Sequence, residues 1–500
     1  MNKIKQQLQV RVEAQSFSAL GYDFSGSQQA VGRLCDDSRD VQLGDTFICL
    51  PRAATQARHF VEKAIQGGAS SVIILGDVAG EYGVPCLRLA DMAAAGRFLR
   101  RYFQTEHTPT ACFGITGTDG KTSVAWMLRE ALARRAGVAW SSGTLGWVED
   151  VAHQHDLGNT TPSMLTLHQL LAAADQAKVP SLVMEVSSHG IEQQRIAGLD
   201  VDAAIWTTLG HDHLQDHGGF EAYAELKARF IRDTAVKGGT VVFNQQQDGI
   251  VRRLQGIDGW AYSGQYDVTL GGSVMQWKSV VAGELQLRCG GQSVTVAHVP
   301  VGRFHAENLA AVAQLLHKHF EMTLADIADC LQGMSAPPGR MQTVENDLDA
   351  QVFIDYAHTP EGLQACLQSA RALTQGRLLL VFGCGGDRDQ SKRPEMGAIA
   401  GAHADKIWLT SDNPRYESPE GIMHDILQGV PQHACIRQDS ERGAAIAAAV
   451  TALEAGDTLV IAGKGHEDYM DIEGKRSAWS DLACAQICLA RKQSECLGCA

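Results

Sequence analysis

At 500 residues the chain is several times a typical domain of roughly 100–200 residues, so about three domains with ample buried core are expected and small stapled scaffolds are excluded. Its 43 Lys and Arg against 57 Asp and Glu leave a net charge of −14, which offers no basic face to nucleic acid. Hydrophobic residues make up 45% and charged residues 20%, the balance of a globular enzyme and not of a disordered or fibrous chain.

The N-terminal run MNKIKQQLQV lacks the apolar stretch and cleavage site of a secretory signal, so a cytoplasmic location is expected. No apolar run reaches the roughly 18 residues that cross a bilayer, so no membrane insertion is expected. Strands are predicted at 45–50 and 71–75 and a helix over 93–103, a small α/β unit ending near residue 106. From 107 the rhythm becomes apolar strand, polar turn and helix, with strands predicted at 111–116, 181–186 and 203–209. That alternation predicts a parallel sheet. Between about 260 and 300 the pattern turns to period two, which reads as an antiparallel addition. A break at Pro337-Pro338-Gly339 marks a second boundary. Beyond it the parallel rhythm resumes at 351–356, 377–383, 405–410 and 457–463. The 13 Cys are odd in number and mostly inside apolar runs, as at Cys49, Cys112 and Cys384, which reads as reduced core thiols. Cys496 and Cys499 form a C-x-x-C with no second pair to complete a metal site.

The strongest local signal is Gly114-Ile115-Thr116-Gly117-Thr118-Asp119-Gly120-Lys121-Thr122-Ser123, between a strand and a helix. Glycines let backbone N–H groups turn to a phosphate, the helix N-terminus adds positive charge, Lys121 reaches terminal phosphates and Thr122 suits Mg²⁺. It departs from G-x-x-x-x-G-K-[ST], which would need Gly where Ile115 stands. Glu185 ends a strand, where a carboxylate opposite a phosphate loop suits Mg²⁺; by itself it reads more readily as a capping or core-edge residue. The segment 208–218 packs His211, Asp212, His213, Asp216 and His217 together, a metal-site composition or a solvated loop. Zinc is discounted because phosphate chemistry prefers a hard cation with oxygen ligands. Lys227, on a helix begun near Phe220, reads by itself as a surface lysine.

In the last block, Asp355-Tyr356-Ala357-His358-Thr359-Pro360, Gly385-Gly386-Asp387-Arg388, Asp412-Asn413-Pro414-Arg415 and Gly463-Lys464-Gly465-His466-Glu467 each join Gly or Pro backbone control to charge at a strand end. Arg388 and Arg415 suit bidentate capture of carboxylates, and Asp412 and Glu467 suit an ammonium group. Together they suit a zwitterion such as an amino acid.

Taken in order from Asp37-Ser38-Arg39 to Glu467-Asp468, these segments resemble the ATP-dependent Mur ligases of cell-wall peptide synthesis. The resemblance implies an α/β chain of three domains. A central P-loop-type parallel-sheet ATPase domain (107–336) would be flanked by a small N-terminal α/β domain (1–106) binding the UDP precursor and a C-terminal Rossmann-like domain (337–500) binding the amino acid. It implies ATP on Gly117, Thr118, Asp119, Gly120, Lys121, Thr122 and Ser123, with Asn308, Arg340 and Asp355 also lining the ATP site. Two Mg²⁺ ions are implied, held by Thr122, Glu185, His213 and Lys227 as its carbamate. Lys121, His213, Lys227 and His358 would be catalytic, with the proton acceptor left open between His358 and His213. Ser38, Asn159, Thr160, Thr161, Ser187, Gln193 and Arg195 would hold a UDP-N-acetylmuramoyl-dipeptide. Arg388, Asp412, Asn413, Pro414, Arg415, Gly463 and Glu467 would hold diaminopimelate, because the 412–415 run looks like the diaminopimelate-adding type. The implied reaction makes an acyl-phosphate on the dipeptide's D-glutamate, which the amine attacks, in a monomer whose C-terminal domain closes on a hinge. Departures stand at Asp119, Thr208, Gln215, His305 and Gln342, where the family usually has Asn, Asn, Asp, Asn and Glu. Other readings are a lysine-adding or folylpolyglutamate-synthase-like ligase, a P-loop kinase, and a non-catalytic protein that binds the precursor.

Overall fold

The computed structural model describes residue 8 and residues 10–50, 54–76, 81–150, 153–210, 214–264, 274–279 and 283–498. The chain divides into two compact units. The first is mainly Met1–Ser263 with Ala311–Cys330, and the second mainly Gln276–Ala310 with Leu331–Ala500.

The first unit opens with a parallel sheet in the order Leu34–Cys35, Thr46–Cys49, Ser71–Leu75, Cys86–Leu89. Helix Met92–Tyr102, capped by Asp91 accepting from the N–H of Ala94, buries Ala95, Phe98 and Leu99 against Ile48 and Ile73. The same core runs on to Met164, Leu165 and Ala172 of helix Met164–Gln176. Arg100 also donates to the Gly198 carbonyl and Asp200, at 3.1 Å each.

The larger sheet of this unit runs Trp260–Gly264, Thr240–Asn244, Ala203–Trp206, Ala111–Thr116, Ser181–Glu185, Trp140–Gly143, Gly146–Val148, Gln154–His155. It is parallel as far as Trp140–Gly143, beyond which the last two strands add antiparallel. Nearly every strand residue is buried, as a sheet covered by helices on both faces requires. Register aligns Ile115 with Glu185 and Thr116 with Trp206, so three strand tips share one edge. Ligands of open α/β sheets bind at that edge.

In the second unit Met275–Ser279, Glu284–Cys289 and Gln292–Ala297 pair antiparallel, as predicted. A second doubly wound sheet orders Gln342–Thr343, Gln351–Asp355, Thr458–Ala462, Leu378–Phe382, Lys406–Leu409, Ile436–Gln438, parallel except for the first strand. Apolar cores lie on both of its faces.

Two predicted elements differ. The strand expected over 203–209 ends at Trp206, because Thr207 and Thr208 turn their hydroxyls onto the carbonyl of Asp119. The antiparallel stretch expected from 260 begins later, since Trp260–Gly264 pairs parallel to Thr240–Asn244, a strand the alternation did not reveal. Cys49, Cys112 and Cys384 are buried free thiols, and burial pushes each up to about 12. The Cys496 side chain and Cys499 lie outside the described residues. Among the described residues no helix is long and apolar enough to cross a membrane.

Candidate functional site

Strand Ala111–Thr116 feeds a loop that enters helix Lys121–Ala136 through Gly120, which sits at φ +82° with no side-chain cap. A side chain there would strain the left-handed turn, and the uncapped end leaves backbone N–H groups for an anion. Gly117, at φ +154°, lies where a Cβ would collide with the Thr207 hydroxyl. Lys121 Nζ folds onto the loop, donating to the carbonyls of Gly117 at 2.9 Å and Thr118 at 2.7 Å. Thr118 meets the Tyr223 hydroxyl at 3.0 Å. Ser123 is buried in the first helical turn. Asp119 points its carboxylate to solvent, while its N–H donates to Thr208 Oγ1 at 2.9 Å. The departure at Thr208 therefore supplies a loop contact.

Glu185 is the focus of the edge. It is buried, accepts from Thr122 Oγ1 at 3.0 Å, and accepts from the N–H and hydroxyl of Thr144 at 2.8 and 3.2 Å. A Cβ on Gly143 would strike its Oε1. These hard oxygen donors beside a phosphate-type loop fit Mg²⁺. Thr144 carries no motif, so nothing in the sequence singled it out. His213, with His211 and Asp212, lies outside the described residues, and among the described residues no three His, Cys, Asp or Glu side chains close on a metal-sized site.

Lys227 corrects the surface reading. On helix Phe220–Val236 it is 1% exposed, donates to the Gly117 carbonyl at 2.9 Å, and lies 4.6 Å from the centre of the Tyr223 ring. It shares a cavity of about 330 Å³ with Lys121, Asn159, Thr160, Thr161, Ser187, Gln193 and Arg195. Six of the seven residues expected to hold the precursor therefore meet beside the phosphate loop. Thr161 holds the wall together by donating to the Glu185 carbonyl at 2.9 Å and accepting from the Ser187 N–H at 2.9 Å. Gln193 accepts from Arg195 at 2.7 Å, and Arg195 also donates to the Thr161 carbonyl. Ser188, His189 and Tyr223 line the same cavity, although the sequence assigns them no role. Ser38 stands apart, in a larger cavity of about 1070 Å³ whose wall also includes Gln193 and Arg195.

In the second unit Asp355 is buried and accepts from the N–H groups of Met341 at 2.7 Å and Ala357 at 2.8 Å. Burial raises its pKa despite nearby Arg340. Its carboxylate thus shapes the turn on which Arg340 stacks over Tyr356 at 4.3 Å. Helix Arg303–His319 carries buried Asn308 and, one turn earlier, His305, whose Nε2 bonds the Arg340 carbonyl at 2.9 Å. Gln342, the other departure, accepts from the Gly339 N–H at 2.9 Å. His358 is exposed with Nδ1 on the Tyr356 carbonyl at 2.8 Å, which places the proton on Nδ1 of a neutral ring and leaves Nε2 as acceptor.

Asp412, Asn413 and Pro414 are buried. A Cβ on Gly463 (φ +111°) would come within 2.6 Å of Asp412 Oδ2, which accounts for the glycine. Arg415 has left-handed backbone at φ +50°, held by bonds from its N–H to Asp471 and to its carbonyl from Glu473. Its guanidinium donates to the Gly386 carbonyl at 2.7 Å, and among the described residues no carboxylate pairs with it. Arg388 is exposed. Glu467, whose carboxylate suits an ammonium group, is already engaged on one oxygen. Its Oε2 accepts from Asn413 at 2.7 Å and from buried Lys464 at 3.2 Å. A lysine inside a glycine-rich turn gives no sequence sign of burial. Arg393, 1% exposed, braces these loops through Glu417 at 2.9 Å and Asp425 at 2.8 Å.

Residues 115–316 match the profile described as Mur ligase middle domain, and residues 339–465 that of Mur ligase, glutamate ligase domain. The chain is 37% identical over 473 residues to the UDP-N-acetylmuramoyl-L-alanyl-D-glutamate–2,6-diaminopimelate ligase of Gloeobacter violaceus, covering 93% of this chain and 95% of that one. Identity to the enzyme of that name from Pseudomonas aeruginosa is 35% over 473 residues, covering 91% and 94%. A solved structure of a ligase of that name superposes with a TM-score of 0.68 at 29% identity, covering 96% of this chain and 100% of that one. The Thermotoga maritima MurF ligase in complex with ADP shares the fold, with a TM-score of 0.62 at 15% identity and coverage of 93% and 98%. The phosphate loop, the Thr122–Glu185 pair and the strand-end loops thus lie within a chain matched almost end to end, and that chain belongs to the Mur ligase family.

Proposed function

We propose that the protein is an ATP-dependent ligase that joins meso-2,6-diaminopimelate to the D-glutamate of UDP-N-acetylmuramoyl-L-alanyl-D-glutamate, a step of peptidoglycan precursor synthesis in the cytoplasm. The observation that carries this reading is the cavity in which Lys121 and Lys227 meet Arg195, Thr160, Thr161 and Ser187 beside the phosphate loop. Relatives of that name, at 33–37% identity, support it. The proposed division is 1–106 for the nucleotide end of the precursor, 107–336 for ATP, and 337–500 for the amine, in a protein that acts as a monomer.

A carboxylate is a poor electrophile, because attack on it must expel oxide. In the proposed reaction a γ-carboxylate oxygen of the glutamate forms a bond to the γ-phosphorus of ATP, and ADP leaves. The amine nitrogen then attacks the acyl-phosphate carbon, and phosphate leaves as the C–O bond breaks. The N–H groups of Gly117–Ser123 and the Lys121 ammonium stabilise charge on the transferred group. Thr122 and Glu185, with Lys227 as its carbamate and His213, would hold two Mg²⁺ ions, which supply further charge neutralisation. Arg195, Asn159, Thr160, Thr161 and Ser187 hold the dipeptide so that its carboxylate meets the loop. Asn308 and Arg340 are assigned to ATP from the family resemblance, and Asp355 holds the turn that carries Arg340. His358 accepts the amine proton at Nε2. Arg415, whose guanidinium pairs with no carboxylate among the described residues, takes the distal carboxylate of diaminopimelate, assisted by Arg388.

The test is incubation with the UDP-muramoyl dipeptide, ATP and Mg²⁺, followed by diaminopimelate or lysine, with phosphate release and product mass as readouts. Product with diaminopimelate is expected. Product only with lysine would identify a lysine-adding enzyme, and bound precursor without ADP a binding protein.

A further inference from the structure

Lys464 is wholly enclosed, its side chain 0% exposed, yet it sits amid the loops that carry Asn413 and Glu467. Its Nζ donates to Asn413 Oδ1 at 3.0 Å and to Glu467 Oε2 at 3.2 Å, with the Tyr469 ring centre 5.3 Å away. Burying an ammonium is costly, and a neutral side chain of similar volume would fill the space as well. Packing alone therefore gives no reason for a charge here.

The hydrogen bonds supply one. An ammonium has donors only, so it accepts a single orientation of the Asn413 amide, with Oδ1 toward it. The N–H of Asp471 donates to the same oxygen at 2.9 Å and repeats the demand. Asn413 Nδ2 is thereby turned to Glu467 Oε2 at 2.7 Å. One hydrogen of Nδ2 and the oxygen Oε1 of Glu467 remain, and among the described residues neither has a hydrogen-bond partner. A donor beside an anionic acceptor is complementary to the carboxylate and ammonium of an α-amino acid centre.

We propose that Lys464 is a positioning residue for the incoming amino acid: it fixes the Asn413 amide and the Glu467 carboxylate so that the pair recognises the α-carboxylate and α-ammonium of one end of the substrate. This rests on the reading of these loops as the amine-substrate pocket. Without Lys464 the Asn413 oxygen keeps only the Asp471 N–H as a donor, and Glu467 holds a partly buried charge with one donor fewer.

The experiment uses the full chain as wild type, Lys464→Met and Lys464→Arg, measuring KM separately for diaminopimelate, ATP and the UDP-dipeptide, with thermal melting as a folding control. Lys464→Met should raise the KM for diaminopimelate roughly ten- to a hundredfold, the cost range of one unsatisfied buried group. The other two KM values should stay within about twofold, and Lys464→Arg, which keeps the charge but moves its donors, should raise the same single KM by less. A parallel rise in all three KM values, or an unchanged KM for diaminopimelate, overturns the proposal; should Lys464→Met not fold, the arginine variant decides on the same criteria. If the wild type itself makes no product, the activity reading fails, and calorimetric titration of diaminopimelate into wild type and variant decides the pocket: equal affinity overturns it.

Discussion

Lys227 joins chemistry to burial in one side chain: it is 1% exposed because the helix that bears it packs under the phosphate loop, and its amine reaches the Gly117 carbonyl. Lys121, on the same loop, is the group whose loss should be most specific. Lys121→Ala is expected to abolish ATP-dependent phosphate release while leaving the melting temperature near that of the wild type, and turnover above about 1% would contradict its role. Gly143 makes a different prediction, because any Cβ there meets Glu185 Oε1. Gly143→Ala should cost about 1–3 kcal/mol in urea unfolding and raise the Mg²⁺ concentration needed for half-maximal rate. At the proposed amine pocket, Arg415→Ala should lose most of the preference for diaminopimelate over lysine, read as the ratio of kcat/KM values. An unchanged ratio would remove Arg415 from specificity.

At the scale of elements, the strand-end loops were legible because an apolar strand followed by Gly, Pro and charge is a local pattern, and nearly all predicted strands ended within a residue or two of the observed ones. Long-range hydrogen bonding was not legible. Thr144 reaches Glu185 across 41 residues of chain, and Lys464 reaches Asn413 across 51. Two helices carry buried histidines with a measurable consequence. His168 bonds the Ala197 carbonyl and His305 that of Arg340, and burial holds each down to about 4. With the unfolded value at 6.5, the unfolded chain takes up protons first as pH falls. The stability they contribute is therefore complete above pH 6.5 and lost as pH falls toward about 4, by roughly 3 kcal/mol for each full shift. Urea midpoints should drop between pH 7.5 and about 4.5, and His305→Asn should flatten that slope. Equal slopes would show that His305 is not protonated on unfolding.

For the whole molecule, composition and rhythm announced two doubly wound sheets and an antiparallel addition. They did not announce the order of the strands, which brings Thr116, Glu185 and Trp206 to one edge. That order is what turns a scattered set of residues (121, 159–161, 187, 193, 195 and 227) into one cavity. His213, which lies outside the described residues, enters the proposal from resemblance. The central claim, that this cavity activates a carboxylate by phosphoryl transfer, is tested most directly with a UDP-dipeptide carrying oxygen-18 in the glutamate γ-carboxylate. After one round with ATP and diaminopimelate, label is expected in the released phosphate, because the oxygen that bonds phosphorus departs with it. Phosphate free of label, beside amide product, would contradict an acyl-phosphate route.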